Sequence, residues 1–91
     1  MPKVCIHYIV SGWVQGVWYR SAAQQEAKKL KLTGWVKNTD NGNVEVLACG
    51  EQQQITQFEK WLWQGPKLAR IKSVISKKLP WQELEDFIII Y

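Results

Sequence analysis

Asn41-Gly42 stands between two short runs of strand type, Gly34 to Thr39 and Asn43 to Cys49, and this pair restricts the fold more than any other feature of the chain. Both central positions of a type I′ turn need φ > 0, so the two runs are expected to fold back on each other as a hairpin with a two-residue turn. A helix and an outer strand flank the hairpin on each side. On the N-terminal side Val4, Ile6, Tyr8 and Val10 alternate with Cys5, His7, Ile9 and Ser11, which suits a strand with one face on a core. Ala23, Ala27 and Leu30 then fall at helical spacing, with Gln25, Lys28 and Lys29 left for water. On the C-terminal side Gly50 is expected to break the third strand, and Ile55, Phe58 and Leu62 form the stripe of a second helix that Gly65-Pro66 stops. Ala69 to Ser76 reads as a fourth strand, and Phe87 to Tyr91 as a short terminal one.

The order is therefore β-α-β-β-α-β plus a terminal strand. Right-handed crossovers favour an α+β ferredoxin-like sandwich, with one antiparallel sheet of order 4-1-3-2 and both helices on one face. Ninety-one residues make a single domain, 1–91. In that order the first strand runs antiparallel to the third, which brings Cys5 near Cys49 on the open face of the sheet, with His7, Glu45 and Leu47. A disulfide and a plain cross-strand contact both fit this placement. The bond is worth about 4 kcal/mol in the chain-entropy model, while a reducing compartment opposes it.

The formal charge is +4, but the lysines are scattered and form no basic tail. An RNA-binding domain of this topology needs aromatic rings on the open face of strands one and three. Glu45, Leu47 and Cys49 offer none, so nucleic acid is not an expected partner. Cys5 and Cys49 lack metal-ligand spacing, and no metal is expected. The first residues are too short and too polar for a signal peptide, and no run is long enough to cross a membrane. The cytoplasm is the expected compartment.

The chemistry of the chain concentrates in Gly12-Trp13-Val14-Gln15-Gly16-Val17-Trp18-Tyr19-Arg20-Ser21, between the first strand and the first helix. Glycine without a Cβ lets backbone N–H groups turn inward toward a ligand. Ser21 and Gln24 read as a capping box, which places the free N–H groups of a helix start just past the loop. Arg20 adds a permanent charge and a planar fork that fits two phosphate oxygens. Loop, helix start and guanidinium together form a candidate phosphate site.

This run resembles the first signature of the acylphosphatases, which reads glycine, any residue, Val-Gln-Gly-Val, any residue, aromatic, arginine. Gly34-Trp35-Val36-Lys37-Asn38, followed by Gly42, Val44 and Gly50, resembles their second. Gly65-Pro66, Ala69-Arg70-Ile71 and the segment from Phe87 are also similar, so the likeness spans the chain. The resemblance implies the same ferredoxin-like fold and hydrolysis of the carboxyl-phosphate bond of acyl phosphates by direct in-line attack of water, without metal or cofactor. By motif position, Arg20 would bind the phosphoryl group together with the amides of Gln15, Gly16, Val17, Trp18, Tyr19 and Arg20, and Asn38 would hold the attacking water. A monomer acting on a small-molecule acyl phosphate, with no membrane partner, is expected. The alternative is a non-catalytic module of the same family that binds anions or a partner.

Three positions depart from the family pattern. Lys31 stands where a glycine usually ends the first helix, Trp13 where a basic residue is frequent, and Ile90 where an arginine is often found. Trp13 and Trp18 flank the loop and are candidates for shaping the mouth of the pocket, with plain packing or surface cover as the alternative, whereas Trp35, Trp61, Trp63 and Trp81 read as packing or surface cover. His7, on the open face, has no expected catalytic role.

Overall fold

In a computed structural model, which describes residues 2–91, the elements follow in the order β1 (Lys3–Trp13), α1 (Tyr19–Lys29), β2 (Thr33–Asn38), β3 (Val44–Glu51), α2 (Gln52–Gln64), β4 (Arg70–Leu79) and β5 (Phe87–Ile90). They build one five-stranded sheet in the order β4-β1-β3-β2-β5. The central order 4-1-3-2 is the one expected. The terminal strand extends it by pairing with β2, and it does so in parallel, Gly34 opposite Phe87 and Lys37 opposite Ile90, so the sheet is not wholly antiparallel. The reason is geometric: residues 80–86 carry the chain from β4, at one edge, to the start of β2 at the other, and β5 then runs alongside β2.

The alternation in β1 has the expected consequence. Val4, Tyr8 and Val10 are buried beneath the helices with Val36, Val44, Val46 and Ala48 from β2 and β3. From above, α1 contributes Ala23 and Ala27, and α2 contributes Ile55, Phe58 and Leu62. Phe58 meets Tyr8 and Phe87 edge-on, with ring centroids 6.4 and 6.0 Å apart, and stacks on Trp61 at 6.2 Å. Burying a side chain of that size contributes about 1.5–3 kcal/mol from area alone. Small alanines on α1 bring that helix close to the sheet.

Local details differ from the sequence reading at four points. The β2–β3 pairing ends at Asn38 opposite Val44, so the loop is longer than two residues. Within it only Gly42 takes positive φ, 89°, and its N–H donates to the Thr39 carbonyl at 3.2 Å. This is the geometry of a three-residue hairpin loop with a left-handed glycine, not a type I′ pair. The Thr39 hydroxyl accepts from the Asn43 N–H at 3.1 Å, which favours this wider form. Gly50 does not break β3, which runs on to Glu51. The fourth strand continues past Ser76 to Leu79. The capping box at Ser21 and Gln24 does not form: α1 begins at Tyr19, its first bond running from the Ala22 N–H to the Trp18 carbonyl at 3.0 Å. Gln24 instead donates to the Phe87 carbonyl at 3.0 Å, tying α1 to β5.

Cys5 and Cys49 are directly opposite in register, with Cα atoms 4.1 Å apart, and are joined in a disulfide. Leu47 is buried with them, and Trp35, Leu79 and Leu84 pack against the cluster. The Gln82 N–H, in the segment that crosses to β5, points at the Cys5 sulfur from 3.3 Å. Farther along the open face His7 meets Glu45 at 2.6 Å, and Lys37 lies 3.6 Å from the same carboxylate. His7 is thus held by a hydrogen bond to Glu45, which also pairs with Lys37.

The end of α1 shows what the missing glycine costs. Lys31 takes φ 61°, with its N–H bonded to the Lys28 carbonyl at 3.0 Å and the next N–H, of Leu32, bonded to Ala27 at 2.9 Å. This double bond pattern is a Schellman end, whose left-handed position is normally glycine. An L side chain there costs about 1–2 kcal/mol. Lys31 is exposed, so little packing offsets that cost. Lys31→Gly is therefore expected to raise stability by about 1 kcal/mol, which for a domain of this size moves Tm up by about 4–8 °C. Thermal unfolding followed by circular dichroism checks it, and an unchanged or lower Tm would contradict the strain.

Candidate active site

The loop after β1 is shaped by what it buries. Val14, Val17 and Tyr19 point into the core, at 1, 5 and 1% exposure, and between them Gly16 and Trp18 face outward. Two residues of this short stretch are left-handed, Gly16 at φ 76° and Trp18 at φ 66°. Left-handed positions in a turn make successive amides converge, the arrangement that forms anion-binding nests. For glycine this conformation is without cost, and a Cβ at Gly16 would meet nothing within 4 Å, so backbone preference and not crowding selects it. For tryptophan it is strained, and the strain persists because the buried neighbours on either side fix the chain.

Trp18 is also the residue from which α1 springs. The N–H groups of Tyr19, Arg20 and Ser21 form the first turn and lack partners within the helix, leaving partial positive charge at the loop. The Tyr19 hydroxyl donates to the Leu62 carbonyl at 2.7 Å, which anchors this helix start to α2. Burial pushes the Tyr19 phenol well above its ordinary value, so it stays neutral. A fixed, uncharged tyrosine under the loop keeps the amides in place.

Arg20 is half-buried. Its Nη1 reaches the Ile90 carbonyl at 3.5 Å, and its guanidinium lies 5.1 Å from the centre of the Tyr91 ring. Among the described residues no carboxylate lies within ion-pair distance of it. The contact with position 90 is made by backbone, so isoleucine satisfies it as well as another side chain would. Asn38 ends β2 opposite Val44, half-buried at the hairpin's base.

These pieces meet in a cavity of about 250 Å³ lined by Val14, Gly16, Trp18, Tyr19, Arg20, Ser21, Asn38, Ile89 and Tyr91. Arg20 and Asn38, placed by motif position, share it. Trp18, exposed, stands at its rim. Trp13 does not line it: this residue is exposed at the far end of β1, opposite Arg70. Ile89 and Tyr91 were not foreseen, since a short apolar run at the end of the chain carries no sign of which edge it joins. Among the described residues, the lining includes no Asp, Glu or His side chain. A larger cleft of about 490 Å³ lies at the other end of the strands, between Lys3, Lys31, Glu51 and Trp81. Among the described residues no group of three His, Cys, Asp or Glu side chains is placed to hold a metal ion.

The cavity thus brings the start of α1, with Arg20, together with Asn38 from the end of β2, and the class this defines is that of compact α+β sandwiches with a polar site at the end of the sheet. The acylphosphatase family model matches residues 6–89. The chain is 44% identical over 85 residues to an acylphosphatase of Coxiella burnetii, covering 93% of this chain and 90% of that one. It is 43% identical over 89 residues to one of Pseudomonas paraeruginosa, covering 98% of each. The crystal structure of acylphosphatase from Bacillus subtilis superposes with a TM-score of 0.94 at 36% identity, covering 97% of this chain and 99% of that one. The chain belongs to the acylphosphatase family, enzymes that hydrolyse acyl phosphates.

Proposed function

We propose that this acylphosphatase holds the phosphoryl group of its substrate between the amides of residues 15–20 and the Arg20 guanidinium, while Asn38 orients the attacking water. The observation that carries this reading is the convergence of Arg20 and Asn38, from two separate elements, on one cavity with the start of α1. Phosphoryl transfer is mainly a matter of positioning and of stabilising charge on the equatorial oxygens, which amides and a guanidinium supply. The leaving carboxylate is already a weak base and needs no acid to protonate it. An amide side chain is no base at neutral pH, but it donates and accepts hydrogen bonds and so can hold a water in line with phosphorus.

In this reading the enzyme works as a monomer in the cytoplasm on small-molecule acyl phosphates. Among the described residues no helix is long and apolar enough to cross a membrane. Benzoyl phosphate is expected to be hydrolysed at the same rate in excess EDTA as in its absence, with phosphate monoesters poor substrates, since their alkoxide leaving group needs more help. Loss of activity in EDTA, restored by a divalent cation, would overturn the metal-free route.

A further inference from the structure

The two halves of the site are held differently. The amide loop is fixed from inside by Val14, Val17 and Tyr19, whereas the hairpin that carries Asn38 projects outward, with Asp40, Asn41 and Gly42 exposed. Most hydrogen bonds in that hairpin loop are internal to it. The exception is Gln15, whose Nε2 donates to the Thr39 carbonyl at 2.8 Å and to the Asn43 carbonyl at 2.8 Å. Both hydrogens of the carboxamide nitrogen are thereby used. The two acceptors bracket the turn, and Thr39 is the residue after Asn38. Among the described residues, no other side chain outside the hairpin bonds to this loop.

We infer that Gln15 is a positioning residue, whose carboxamide clamps the Asn38 hairpin to the phosphate loop and so sets the line between the held water and the phosphorus. The inference rests on the roles proposed above for Arg20 and Asn38. It assigns the Gln15 side chain a task separate from that of its own amide. In-line attack is sensitive to such a clamp, because a displacement of about 1 Å between reacting groups costs on the order of a hundredfold in rate. A glutamine reaches both carbonyls from the loop, while a methionine of similar length fills the space and donates nothing.

The test is a double-mutant cycle with benzoyl phosphate as substrate and inorganic phosphate as competitive inhibitor. Gln15→Met is expected to lower kcat by about ten- to a hundredfold and to leave the phosphate inhibition constant within about threefold, since the cradle has its own supports. In the Asn38→Ala background the same change is expected to cost less than about threefold, because the group it positions is gone. Equal losses in both backgrounds, or a loss of phosphate affinity parallel to the loss of kcat, would show a general structural role and overturn the inference. Gln15→Asn, which keeps the donors but falls a methylene short, is expected to show the same split and serves if the methionine variant does not fold. If Asn38→Ala alone keeps full kcat, the water-orienting role fails first. If it loses kcat while both Gln15 variants keep theirs, the clamp alone is wrong.

Discussion

Arg20→Gln is expected to lower kcat/KM for benzoyl phosphate by about a thousandfold or more and to weaken competitive inhibition by phosphate, while the protein stays folded. The rate effect follows from where charge sits in phosphoryl transfer. A guanidinium aimed at the equatorial oxygens in a partly enclosed site is worth about 10³–10⁵ in rate when one arginine supplies it, and a thousandfold is about 4 kcal/mol of barrier. Glutamine keeps polarity and much of the length but loses the charge and the fork. The fold survives because Arg20 contributes little to it: a long bond of 3.5 Å to the Ile90 carbonyl and the Tyr91 ring at 5.1 Å. A cation over an exposed ring contributes about 0.5–1 kcal/mol, and Tyr91 is 95% exposed. Arg20→Lys is expected to recover only part of the loss, since a point charge does not present two parallel donors. Steady-state kinetics with phosphate as inhibitor, beside thermal unfolding, check the set. Near-normal turnover in the glutamine variant would remove Arg20 from the site.

The parts of this molecule legible in the sequence are those decided by local pattern. Alternation in β1, the Ile55, Phe58 and Leu62 stripe and the hairpin between β2 and β3 follow from periodicity and glycine placement, and together they imply the order of the first four strands. What escaped was decided by distant partners. The two-residue turn lost to a wider loop because the Thr39 side chain takes part in closing it, which the Asn-Gly pair does not disclose. Gln24 looked like a capping residue but bonds to Phe87 across the molecule, and α1 starts earlier because Trp18 is forced into a left-handed conformation that its residue type argues against. Arg20 and Asn38, visible through the two motifs, share the cavity, and at the end of α1 Lys31, standing where the family pattern has a glycine, takes the left-handed backbone. The Ile89 and Tyr91 lining and the Gln15 clamp depend on which edge β5 takes and on where the hairpin tip falls. Neither leaves a local mark.

Asn38→Ala separates holding the anion from attacking it. If the carboxamide orients water, its loss leaves the loop amides and Arg20 intact, so phosphate should inhibit within about threefold of its usual strength while kcat falls by about a hundred- to a thousandfold. That range is what removal of one preorganised polar group costs in comparable chemistry. Asn38 is half-buried at the last paired position of β2, with Val44 opposite, so truncation there removes little packing. Asn38→Asp carries the argument further. Aspartate keeps an acceptor for the water and is the stronger base, but it loses the N–H donor and puts a negative charge beside an incoming anion. If water needs deprotonation, the aspartate variant should be fast. If water needs only to be held in line against an already good leaving group, it should be as slow as the alanine variant and should bind phosphate less tightly. The second outcome is expected, and a faster aspartate enzyme would replace an orienting amide with a general base.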